Sequence, residues 1–162
     1  MTVQTLHRPI MGILIGGGVA ATLDLIYAVT RNWLGGASPL WTLQLVGSGW
    51  LGESSFSRGV PAGVLGFVSH YGIVFVAAAL YYLASKRFAV LRSRALMCGA
   101  MFGVLVYLFM NFVVLPMSAF PLKLSYPAAR LIEGFASHAF LVGVPIAFAI
   151  RRFSGTPAGA TT

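Results

Sequence analysis

Apolar residues run almost unbroken through four stretches of the chain, at about residues 10–29, 60–84, 95–115 and 128–150. Each has the length a helix needs to cross ~30 Å of hydrocarbon, about 20 residues at 1.5 Å rise. Polar interruptions are few. Asp24 breaks the first stretch, His70 the second, and Arg130 and Glu133 fall in the first turns of the fourth; the third carries no charge. Four spans cannot close a barrel, and lipid leaves helix as the only way to satisfy the backbone. The pattern predicts an all-α fold, a four-helix transmembrane bundle forming a single domain over residues 1–153. A disordered tail is expected at 154–162, where the residues are small and polar.

The connection between the first two spans is the longest. Ser38-Pro39 reads as an N-cap followed by proline at the first helical position, and Gly47 or Gly49 could stop the helix it opens. Trp41-Thr-Leu-Gln-Leu45 also alternates as a short strand would. The expectation is a short interfacial segment lying flat on the outer surface.

Composition makes lipid the solvent. Hydrophobic residues are 58% of the chain and charged ones 9%, against about 25% charged in a soluble domain. The net charge of +8 does not point to nucleic acid, because Lys and Arg sit in small groups between apolar spans rather than on one stripe. Arg8, Lys86, Arg87, Arg92, Arg94, Arg151 and Arg152 fall on the side of both termini, without an acid. Arg31, Arg58, Lys123 and Arg130 fall on the other, with Glu53 and Glu133. The excess marks the cytoplasmic side, giving a multi-pass protein with N- and C-termini inside. The first span carries Asp24 and no A-x-A cleavage site, so it is expected to stay as a helix and not leave as a signal peptide. Cys98 is the one cysteine, which excludes an internal disulfide and suits packing.

An internal repeat stands out. Gly66-Phe-Val-Ser-His70 in the second span answers Gly134-Phe-Ala-Ser-His138 in the fourth. Gly12 and Gly16 answer Gly99 and Gly103, and Asp24 answers Asn111 at the same offset. The chain thus reads as two helical hairpins in parallel repeat, related by an axis along the membrane normal. The glycine pairs have the small-x-x-x-small spacing that lets helices pack closely.

Asp24, His70, Asn111, Glu133 and His138 form the expected polar cluster, in the outer half of the bundle. Three readings compete for it. The first is structural, with His and Asn bonding across helices and Arg130 pairing Glu133 at i,i+3. The second is a small-solute or proton pathway. The third is a haem b on His70 and His138, which lie at equal depth. No phosphate loop, C-x-x-C, H-E-x-x-H or nucleophile elbow is present, and Ser69-His70 and Ser137-His138 diverge by ~100° on a helix. No catalytic residue, metal or resident cofactor is therefore expected.

Gly16-Gly-Gly-Val-Ala-Ala-Thr-Leu-Asp24-Leu-Ile-Tyr27-Ala, Ser38-Pro39 and Gly47-Ser-Gly-Trp-Leu-Gly52 resemble a group of small bacterial inner-membrane proteins, YagU-like in pattern. So do His70-Tyr-Gly, Tyr107-Leu-Phe-Met-Asn111-Phe-Val-Val-Leu-Pro116-Met-Ser-Ala-Phe-Pro121 and His138-Ala-Phe-Leu-Val-Gly-Val-Pro145. The resemblance runs from about Gly16 to Arg152. It implies a four-helix inner-membrane protein and carries over no catalytic residue. The leading expectation is a non-enzymatic accessory or structural component in the lipid bilayer, packed with other membrane subunits or with itself. The alternative is a small-solute or proton binding and transport unit.

Overall fold

The computed structural model describes residues 3–123 and 125–154. It is all-α, and strands are absent among the described residues. Four helices are long and apolar enough to cross a membrane, and the protein is a multi-pass membrane protein. They are α1 (Val3–Leu34), α3 (Val60–Arg87), α4 (Ala95–Met117) and α5 (Ala128–Ser154), with a shorter α2 (Pro39–Leu51) between α1 and α3. A 3-10 turn at Gly52–Ser57 follows α2. One end of the bundle holds the connections α1–α3 and α4–α5; the other holds the helix ends nearest the termini.

All four spans outrun their expected ends, α4 reaching Met117 and α5 reaching Ser154. The first passes residue 29 and takes Arg31 and Trp33 into its last turn, and α3 runs past residue 84 to Arg87. Nothing in 30–34 breaks a helix; Gly35 and Gly36 do, the latter at φ +90°. Beyond Ser154 the expected tail lies outside the described residues.

The α2 segment departs further from expectation. Ser38 caps it as the sequence suggests, its Oγ accepting from the Trp41 amide at 3.1 Å. It is helix and not strand, and it runs through Gly47 and Gly49 to stop at Gly52, φ +59°. It docks on the first turns of α3. A Cβ on Gly66 would overlap the Leu43 carbonyl, and one on Gly47 would stand 2.6 Å from the Ala62 oxygen. These glycines are needed because the two backbones touch there. Thr42, Gln44, Ser48 and Ser55 are buried beneath the segment. Their polar groups are met locally: Gln44 donates to Gly59 O at 3.2 Å and Ser55 to Gln44 O at 2.7 Å. The Ala119 amide donates to Gly49 O at 2.9 Å and ties the two connections together.

The central helix pair is α1 and α5, with α3 against α1 and α4 against α5. A Cβ on Gly16 would lie 2.9 Å from Ala149 Cβ, and one on Gly12 3.2 Å from Phe153 Cβ, both on α5. Gly99 faces Ala147 at 2.7 Å, and Gly103 abuts the His138 carbonyl, also on α5. All four expected packing glycines thus grip one helix, α4's from within its own hairpin and α1's from the other. The core beneath is built from small and branched residues, among them Ala20, Ala21, Ala78, Val142, Ile146 and Ile150. Large apolar side chains such as Leu14, Ile26, Val68, Leu80, Met101 and Leu105 point outward, as lipid contact requires.

The second hairpin carries two π-turns, Met110–Val114 in α4 and His138–Gly143 in α5. Each precedes a proline, Pro116 or Pro145. Proline lacks an amide hydrogen and its ring crowds the carbonyl four residues earlier, here Phe112 or Leu141, which sits inside the widened turn. The widening relieves that conflict, and it also re-aims the residues beside it, including Asn111 and His138.

Candidate functional site

Asp24 lies ten residues from the end of α1, His70 ten from the start of α3, and His138 ten from the start of α5. Each is about 15 Å along its helix from the connection end. The longer α1 is what brings Asp24 to this depth, deeper than a helix ending at residue 29 would place it. The three meet there. His70 Nε2 stands 4.0 Å from Asp24 Oδ2, and His138 Nδ1 stands 4.0 Å from Asp24 Oδ1. Both imidazoles, expected at equal depth, stand beside the same carboxylate. The carboxylate lies between them.

In each ring the nitrogen that faces Asp24 is engaged elsewhere. His70 Nε2 is 3.0 Å from Ala21 O, and His138 Nδ1 is 3.1 Å from Gly134 O and 3.3 Å from Ser137 Oγ. Tyr107 closes the site edge-on against His138, with ring centroids 5.0 Å apart. A Cβ on Gly134 would overlap the Tyr107 ring, so glycine there makes room for that tyrosine. Asp24 itself accepts no direct hydrogen bond among the described residues, although its side chain is only 14% exposed. A carboxylate at that depth costs at least ~2.5 kcal/mol on insertion scales.

A second tier sits nearer the connections. Glu133 Oε1 accepts from Tyr27 Oη at 2.5 Å and from Arg31 Nε at 2.6 Å. Arg31, and not Arg130, is thus the partner of Glu133. Arg130 is close in sequence, but the helix contact between α1 and α5 presents Arg31 to the carboxylate directly. Asn111 is absent from both tiers. It belongs to the π-turn of α4, where its Nδ2 donates to Tyr107 O at 2.9 Å and its backbone oxygen accepts from Tyr126 Oη at 2.8 Å. The matched residues Asp24 and Asn111 therefore do different work.

Exposure falls from 36% at Arg31 and Glu133 to 14% at Asp24 and 12% at His70. Below them Ala20, Ala21 and Ile146 are sealed at 0%. The polar column opens toward the connection end and has a dry apolar floor. Among the described residues no three of His, Cys, Asp and Glu are placed to hold a metal ion. Compared with family models, curated proteins and solved structures, the chain matches none.

Proposed function

We propose that the protein is a small bacterial inner-membrane unit that binds and passes protons, or a small hydrogen-bonding solute, through the column of Glu133, Tyr27, Asp24, His70 and His138. One observation carries this reading: Asp24 stands midway between two imidazoles, 4.0 Å from each, and is bonded to neither. The nitrogens that face Asp24 donate to Ala21 O and Gly134 O, so a proton on the carboxylate passes to an imidazole only when that ring gives up its carbonyl bond and turns its unprotonated nitrogen to Asp24. Glu133 with Tyr27 forms the entrance above it. Arg31 offsets the charge of Glu133 at that entrance. Transport requires the floor at Ala20, Ala21 and Ile146 to part, and close packing of alanines makes that a helix shift, not a side-chain swing.

The reading is tested in vesicles holding a pH-sensitive dye, with a voltage imposed across the bilayer. Protein vesicles are expected to acidify faster than empty ones. Equal rates would remove proton transport from the proposal.

The accessory or structural role is the second reading, and one observation favours it. Only 17% of the apolar window of α4 is buried, against 28% in each of the other three spans. That outer face of α4 suits another membrane subunit or a second copy as well as lipid. Haem b fits less well. His70 Nε2 and His138 Nδ1 are engaged by Ala21 O and Gly134 O, and a carboxylate, not an open slot, stands 4.0 Å from both. The resemblance to the YagU-like group is in keeping with either role.

The proposed orientation puts both termini in the cytoplasm, on the side of the seven acid-free cations. A reporter active only in the periplasm, fused after Thr162, is expected to stay silent. Strong activity would invert the topology and turn the column's opening toward the cytoplasm.

A further inference from the structure

An outward groove runs between α4 and α5 at the end nearest the termini, with a volume of about 520 Å³. Its walls are almost wholly apolar, formed by Leu96, Met97, Ala100, Phe140 and Phe148, while Arg94 and Arg151 stand at its mouth with Ser93. From Arg151 back to Phe140 is eleven residues of helix, about 16 Å. That is close to half of the ~30 Å hydrocarbon thickness, the depth of one leaflet. The chain's three acids all lie elsewhere: Asp24 and Glu133 in the polar column and Glu53 in the first connection. The other cations described at this end are otherwise occupied. Arg92 donates to Ser154 O at 3.4 Å, and Lys86, Arg87 and Arg152 lie over Tyr82, Phe88 and Phe153. The side chains of Arg94 and Arg151 have no ion pair, hydrogen bond or aromatic partner among the described residues.

We infer that this groove is a binding site for an anionic phospholipid. One acyl chain lies along Leu96, Ala100, Phe140 and Phe148, and the phosphodiester sits between Arg94 and Arg151. Two guanidinium groups at the mouth of an apolar slot match that amphiphile in both charge and length. Zwitterionic lipid can fill the slot but gains less from the arginines. The site is separate from the polar column, so it stands whether or not the column moves protons.

Native mass spectrometry tests it on the full chain. The protein is offered equal amounts of phosphatidylglycerol and phosphatidylcholine with identical acyl chains. Each arginine near a headgroup is worth about fivefold in binding, so the expected preference for phosphatidylglycerol is about 30-fold. Arg94→Gln with Arg151→Gln should abolish that preference, whereas Lys86→Gln with Arg87→Gln removes the same charge outside the groove and should keep it. Both pairs are exposed, and a thermal midpoint shared with the parent protein shows that folding is unaltered. Equal retention of the two lipids by the parent protein would overturn the inference. So would a groove double variant that still selects phosphatidylglycerol, or a control pair that loses selectivity to the same degree. Displacement of the lipid by inorganic phosphate would assign the arginines to a soluble anion and overturn it too.

Discussion

Replacing Gly143 with leucine is expected to abolish the fold, with almost no folded protein recovered from membranes. A Cβ there would overlap the Gly99 carbonyl and lie 2.6 Å from the Gly103 amide nitrogen, so both contacts are backbone atoms of α4. Neither can rotate away. Overpacking commonly costs about 1–3 kcal/mol even where side chains can adjust, and more where they cannot. Lipid supplies no hydrophobic drive to hold helices together, so the association of α4 with α5 rests on close packing. Leucine at Gly72 is the control, since nothing lies within 4 Å of a Cβ there. Folded yield and detergent resistance of the two variants should differ sharply. If Gly143→Leu folds like the parent while Gly72→Leu collapses, the pairing of α4 with α5 is wrong.

The bundle is legible in the sequence because each span states its length and solvent in its own composition. Gly12, Gly16, Gly99 and Gly103 announce close contacts by their spacing, but not that all four serve α5. Spacing encodes a face, whereas the partner is chosen by where three other helices fit. The most informative packing glycines, Gly66 and Gly143, have alanines and not glycines at that spacing, Ala62 and Ala139. Helix α2 departs from expectation for a similar reason. Its glycines read as stops, yet Gly47 marks the place where the backbone of α3 comes within contact, which a single sequence cannot distinguish.

The site is half legible. Intramembrane Asp24, His70 and His138 are costly residues, and cost alone singles them out. Tyr27 and Arg31 escape that criterion, although they follow Asp24 at i+3 and i+7 and so share its face of α1. That spacing is a signal the amino-acid sequence itself carries. Asn111 shows the opposite failure. Its match to Asp24 in the repeat assigns it to the cluster, but the π-turn ahead of Pro116 leaves its amide bonded to Tyr107 O. A register change of this kind follows from a proline several residues later, and position-by-position matching does not see it.

Asp24→Asn is expected to reduce voltage-driven proton entry to the level of empty vesicles while leaving the bundle folded. Asparagine keeps the shape and can still bond, but it cannot take up and release a proton. The neighbours at stake are His70 and His138, each 4.0 Å away and held by a backbone carbonyl. They keep their positions without the carboxylate, which is why folding should survive. His70→Ala or His138→Ala removes one of two routes from Asp24, so each alone should slow entry without ending it. Their structural cost is small, near the ~0.6 kcal/mol typical of interhelical hydrogen bonds in a membrane. Glu133→Gln keeps an acceptor for Tyr27 and Arg31 but removes the charge at the entrance, and it should slow entry as well. Infrared difference spectra on a pH step supply a readout independent of flux: a protonated-carboxyl band in the parent protein should vanish in Asp24→Asn and persist in both histidine variants. If that band survives in Asp24→Asn, or if flux there matches the parent, Asp24 is not the proton-binding group. The polar column would then hold helices together and nothing more.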